Sequence, residues 1–133
     1  MEENKTMEKI PCICAMRELY LAFAELENNL LDAHGISLNE AMVLCSIGNG
    51  TVTAGVVSSL SGLKPSHVSK IIASVEEQGL VARSLDAKDK RLMCFTLTDA
   101  GKSCLAKLKE EGVEVPRTLQ PFFRQAAGRI ERG

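Results

Sequence analysis

Between Thr53 and Leu97 the hydrophobic period changes once, and the order of that change leaves few folds open. Val56, Val57 and Leu60 fit a short helix that Thr53 can cap. Ser61-Gly62-Leu63 turns the chain, and Pro65 stands where a first helical turn tolerates a residue without an N–H. Val68, Ile71, Ile72 and Val75 then form one stripe of a second helix, which Gly79 ends. Directly afterwards the spacing becomes two: Leu80 to Leu85 is strand-like, and Met93, Phe95 and Leu97 alternate with Cys94 and Thr96. The charged run Asp86-Ala87-Lys88-Asp89-Lys90-Arg91 lies between them as a hairpin tip. Two short helices joined by a glycine-containing turn are a common pairing and carry little information alone. A β-hairpin immediately behind the second helix is far more restrictive, because it makes the hairpin a wing. The segment 37–97 is therefore expected to be a winged helix-turn-helix.

Helices flank this segment. Ile13, Met16, Leu19, Tyr20, Phe23, Leu26 and Leu30 recur every three or four positions, which predicts a long amphipathic helix from Pro11 to about Leu31, stopped by His34-Gly35. Ser37-Leu38-Asn39-Glu40 has capping-box spacing and opens a short apolar helix to about Ile47. Thr98 can cap a helix reaching about Gly112, Val113 to Pro116 breaks it, and Leu119, Phe122, Phe123, Ala126, Ala127 and Ile130 stripe a last helix. The expected fold is mainly α with a small β-hairpin wing, in a single domain over 1–133. The first and last helices, 10–31 and 99–131, carry more apolar residues than a small winged helix can cover, which suits dimerisation helices.

Composition bounds the function classes. The chain has 133 residues, 45% of them hydrophobic, and a net charge of −1, so the distribution of charge matters more than its total. Residues 1–40 hold three Lys/Arg against eight Asp/Glu, a balance of −5. Residues 64–91 hold six basic side chains (Lys64, Lys70, Arg83, Lys88, Lys90 and Arg91) against four acidic ones, a balance of +2. Positive charge thus gathers on the second helix and the wing. No stretch approaches the run of about 20 apolar residues that a membrane span needs, and the polar start does not read as a signal peptide, so a cytoplasmic protein without membrane contact is expected. Five cysteines, an odd set, read as reduced thiols. Cys12 and Cys14 form C-x-C rather than C-x-x-C, and only His34 and His67 could join them, so neither a metal site nor a cofactor is expected.

Three stretches resemble the MarR family of regulators, in order and in spacing: Ser66-His67-Val68-Ser69-Lys70 leading to Glu77-Gln78-Gly79-Leu80-Val81-Ala82-Arg83, the tip from Asp86 to Arg91, and Leu97-Thr98-Asp99-Ala100-Gly101-Lys102. The resemblance covers nearly the whole chain. It implies a homodimeric DNA-binding transcriptional regulator, a repressor acting on a pseudo-palindromic operator and released by a small-molecule effector or an oxidant, with half-sites about one helical turn apart. It makes the second helix of the motif a recognition helix. Lys64, Ser66, His67, Ser69, Lys70 and Ser74 would then face DNA, with backbone N–H groups of the first turn favouring phosphate. It assigns Arg91 to the minor groove, steadied by Asp89 or Asp86, with Lys88 and Lys90 on phosphates. The third helix, Ala54-Gly55-Val56-Val57-Ser58-Ser59-Leu60, departs from the family pattern, where an acidic residue and Leu-Ala are commoner.

Two other classes compete. A winged-helix module for protein partners has the weak net charge in its favour and the retained Lys70 and Arg91 against it. A cysteine enzyme needs a thiolate beside a positioned base, and His34 in a helix-ending turn and His67 on the DNA face are poor bases for one. The chain is therefore not expected to be an enzyme. Cys12 and Cys14 near the start of the first helix are candidate redox sensors, since free N–H groups there favour a thiolate. Peroxide-sensing members of the family place their cysteine at the position of Ile13, and Tyr20 is the only tyrosine, so a structural reading of both thiols stays open. Cys45, Cys94 and Cys104 lie in apolar patterns and are expected in the core.

Overall fold

Local chemistry sets the helix boundaries. In the computed structural model, which describes residues 7–132 and side chains to 126, six helices and three short strands follow one another. They are α1 (Ile13–His34), α2 (Leu38–Ile47), β1 (Val52–Thr53), α3 (Ala54–Ser61), α4 (Pro65–Glu77), β2 (Val81–Leu85), β3 (Met93–Leu97), α5 (Asp99–Glu111), a 3-10 turn (Arg117–Leu119) and α6 (Gln120–Arg132). The capping box forms in both directions. Glu40 N–H donates to Ser37 Oγ at 3.1 Å and Ser37 N–H donates to Glu40 Oε1 at 2.9 Å. Thr53 caps α3 and Thr98 caps α5 in the same way. Pro65 occupies the first turn of α4, and none of the described helices is long and apolar enough to cross a membrane. Pro11 differs from expectation: it lies ahead of α1, and Cys12 is the residue whose carbonyl accepts the first helical bond, from Met16 N–H at 2.8 Å.

The chain divides into two compact units, residues 29–114 and residues 1–28 with 115–133. In the first, Val43, Leu44 and Ile47 of α2, Val57 of α3 and Val68, Ile72 and Val75 of α4 close one core with Val81, Phe95, Leu97 and Leu105. Each removes a side chain from water, worth about 1.5–3 kcal/mol for one of Val, Leu, Ile or Phe size. The sheet has strand order β1-β3-β2, all antiparallel. The hairpin was expected; β1 was not. Its two residues pair Val52 with Phe95 and Thr53 with Cys94, so the sheet is three-stranded only at the Arg83–Phe95 and Ser84–Cys94 rungs of the hairpin. On α3 only Val57 is buried, while Val56 and Leu60 are exposed.

The expected segment 99–131 is split between the units. Helix α5 belongs to the winged unit, where Leu105 is buried and Leu108 packs against the core, and α6 belongs to the other. The reason lies at Gly101, which is buried against the backbone of Leu80; a Cβ at this position would collide with the Leu80 carbonyl oxygen. Thr98, the one residue between β3 and α5, donates its N–H to Leu80 O at 3.0 Å and its hydroxyl to Gly79 O at 2.6 Å. Those contacts tie the end of α4, the base of the wing and the start of α5 together.

In the other unit, Ala22, Leu26 and Leu119 are buried. Ile13, Met16, Leu19, Tyr20, Leu21 and Phe23 of α1 and Phe122 of α6 are exposed, the last in an edge-to-face pair with Phe123. Ala127 and Ile130 lie outside the described side chains.

Candidate nucleic-acid interface

Helix α4 has one buried stripe and one open face, as its spacing requires. With Val68, Ile72 and Val75 buried, Lys64, Ser66, His67, Ser69 and Lys70 are all exposed along its first two turns. Lys64 lies at the N-cap without a side-chain cap bond. In the first turn Pro65 has no N–H to offer, and the His67 and Val68 N–H groups both reach back to Lys64 O at 2.9 Å. Exposed hydroxyls, an imidazole and ammonium groups on a helix face that leads with its N-terminus can meet phosphates and base edges alike.

Ser74 corrects the expectation made for it. It is half-buried, and its hydroxyl donates to Glu40 Oε2 at 2.5 Å rather than facing outward. Gln78 Nε2 donates to the same oxygen at 2.9 Å. The cause is Glu40, whose capping-box position brings its second oxygen to the flank of α4. Burial pushes the Glu40 carboxyl up, and bonds from the Ser37 N–H, Ser74 and Gln78 outweigh it, leaving the carboxyl below the usual carboxylate range.

At the wing tip the two acids divide the work. Asp86 accepts from the N–H groups of Lys88 at 3.0 Å and Asp89 at 2.8 Å, which shapes the turn. Asp89, not Asp86, holds Arg91. Arg91 Nε donates to Asp89 Oδ1 at 3.1 Å, the Arg91 N–H donates to the same oxygen at 3.1 Å, and Nη2 stands 3.5 Å from Oδ2. The Asp89 carboxyl is lowered by the Arg91 side chain first and its N–H second. Arg91 keeps 89% of its side chain exposed, so Asp89 steadies it without hiding it. Lys88 and Lys90 are exposed beside it. The tip therefore presents three cations, one of them oriented.

Arg83 had no role in the sequence reading beyond its place in the first wing strand. It makes a forked pair with Glu76 at the end of α4, Nε to Oε2 at 2.7 Å and Nη2 to Oε1 at 2.6 Å. Its guanidinium carbon lies 5.5 Å from the Phe95 ring centroid. The seven-residue separation crosses a helix end and a turn, so no helical pair rule would reveal it.

The cysteines separate. Cys12 is half-buried and Cys14 exposed at the start of α1; Cys94 is buried; burial pushes the half-buried Cys104 thiol up. Cys45 was expected in the core and is exposed instead, in a shallow concavity with Met42, Ser46, Leu60 and Ser61. Its position follows from α2 burying Val43, Leu44 and Ile47, which turns Cys45 away from that stripe. Among the described residues no group of three His, Cys, Asp or Glu side chains could hold a metal ion.

Comparison with known proteins places this arrangement. A family model described as the MarR family matches residues 34–92, from the end of α1 to the wing. An uncharacterised HTH-type transcriptional regulator of Bacillus subtilis, YwaE, is 25% identical over 88 residues, which are 65% of this chain and 52% of the relative. The match thus spans about half the length of that curated relative. Among solved structures, the fold is shared with a cysteine-to-serine mutant of MarR from E. coli complexed with operator DNA, at 20% identity, TM-score 0.64 and 75% coverage of each chain. It is also shared with CouR from Rhodococcus jostii bound to p-coumaroyl-CoA, at 23% identity, TM-score 0.61 and 88% coverage of each chain. Helix-turn-helix, wing and family model coincide on residues 34–92, and over that segment the chain is similar to the MarR family, whose fold it shares with the solved structures above.

Proposed function

We propose that the protein is a sequence-specific DNA-binding transcriptional repressor that acts as a homodimer on a pseudo-palindromic operator. The observation that carries this reading is the shared exposure of Lys64, Ser66, His67, Ser69 and Lys70 on α4 and of Lys88, Lys90 and Arg91 on the wing. Helix α4 supplies groups for the major groove and Arg91 the cation for the minor groove, where narrow walls concentrate negative potential. Ser74 is left out of the base-reading set because Glu40 holds its hydroxyl. The exposed apolar side chains of α1 and Phe122 of α6 favour a self-complementary partner surface. A small-molecule effector is supported by CouR, which was solved with p-coumaroyl-CoA bound. Duplex selection followed by mobility-shift titration tests the reading. Lys70→Ala and Arg91→Ala should each weaken operator binding by about 1–3 kcal/mol where the side chain reads a base, and affinity should fall steeply with salt as counterions are released. Unchanged affinity in both variants refutes it.

A further inference from the structure

We propose that Arg83 is a positioning residue, clamped by Glu76, that fixes the angle between wing and recognition helix and does not itself hold DNA. The inference rests on the DNA-binding reading above and adds to it the element that keeps the two reading surfaces in register. Arg83 is exposed and basic, inside the stretch where positive charge gathers, so charge alone would make it a phosphate contact. Its geometry says otherwise. The Nε and Nη2 edge of the guanidinium is occupied by the two oxygens of Glu76, at 2.7 and 2.6 Å, and its central carbon lies over the ring of Phe95, itself buried on β3. A forked guanidinium–carboxylate pair fixes direction as well as distance. Glu76 neutralises the charge that a phosphate would require: the Arg83 side chain lowers the Glu76 carboxyl and is held protonated by it in return.

The position of the pair explains why a clamp is needed there. Phe95 and Cys94 are the β3 residues that also pair with β1, and their β2 partners are Arg83 and Ser84. Beyond this rung the wing continues as two strands, with Leu85 opposite Met93, and then the tip. A two-stranded hairpin is marginally stable alone in water. Arg83 thus ties the hairpin to α4 at the Phe95 rung, one rung before the third strand gives out toward the tip. Lys88 and Arg91 extend from that point, so the distance between Arg91 and Lys70 depends on it.

Two variants of the full chain separate positioning from phosphate contact. Glu76→Gln removes a negative charge from a protein facing a polyanion, and Arg83→Lys keeps the positive charge while losing the fork. The clamp predicts that both weaken operator binding, by about three- to fivefold given the usual worth of a partly exposed pair. It also predicts lower 15N order parameters for the amides of residues 85–92 in the free protein, with the α4 amides unchanged. Phosphate contact predicts the opposite sign for Glu76→Gln, with equal or tighter binding and a wing as rigid as the wild type's. Either of those results overturns the proposal. The relaxation measurement needs no DNA, so it decides the clamp even if the wild-type protein binds no duplex, a failure that would count against the DNA-binding reading instead.

Discussion

Gly101→Ala tests how the winged unit is assembled, because two physical effects predict opposite signs. In an isolated helix, alanine is favoured over glycine by about 1 kcal/mol, so α5 taken alone would be stabilised. In the structure a Cβ on Gly101 would collide with the Leu80 carbonyl oxygen and press on Leu97 Cβ, 3.3 Å away. Neither the backbone of Leu80 nor the buried Leu97 can swing aside, so α5 must withdraw by roughly an ångström from a close-packed core. Overpacking of this kind costs about 1–3 kcal/mol. Withdrawal also stretches the Thr98 bonds to Leu80 O and Gly79 O, now 3.0 and 2.6 Å, each worth roughly 1 kcal/mol net. Set against the propensity gain, the variant should lose about 2–4 kcal/mol. Urea denaturation of both proteins, followed by circular dichroism at matched protein concentration, reads the difference. A variant as stable as the wild type, or more so, would show that the approach of α5 to Leu80 does not constrain the fold.

Glu40 carries a pH prediction. Its folded carboxyl is held below the ordinary range, so the folded state binds the proton less readily, and the stabilisation is present above the unfolded value and lost as pH falls through the folded one. The gap in urea midpoint between wild type and Glu40→Gln should therefore be open near neutral pH and narrow below about pH 4; a gap independent of pH would refute the assignment. Phe123→Asp places a charge beside Phe122 on α6 and should shift the protein toward monomer in sedimentation equilibrium. The loss would be roughly 1.5–3 kcal/mol for one apolar side chain buried in the dimer, and an unchanged assembly state counts against a dimer built on that helix. For the thiols, peroxide treatment should lower operator affinity in the wild type and leave a Cys12→Ser, Cys14→Ser double variant unmoved; an indifferent wild type makes both cysteines structural.

Much of the fold was legible because its signals are local. Ser37 with Glu40, Thr53, Pro65 and Thr98 each announce a helix start within four residues, and every one of those starts is found. The period change after Gly79 located the wing strands to within a residue. What the sequence concealed is non-local. Strand β1 is two residues long, too short for any alternation to register, and exists because β3 offers it an edge. Ser74 occupies a helix position that a projection leaves open to solvent, but a carboxylate 34 residues earlier claims its hydroxyl. The Glu76–Arg83 fork likewise joins two elements across a turn. At the candidate interface, spacing and resemblance supplied the residues of α4 and the tip, while the structure alone distinguished Asp89 from Asp86 as the partner of Arg91.

The junction at Thr98 has a mechanical consequence. A single residue separates β3 from α5, and its hydroxyl and N–H grip the two carbonyls at which α4 passes into the wing, with Gly101 seated on the same backbone one turn later. No slack exists there to absorb a displacement. Helix α5 is therefore placed as a lever whose fulcrum is the root of the wing: a tilt at its far end, near Leu108, would be passed to the first wing strand rather than absorbed at the junction.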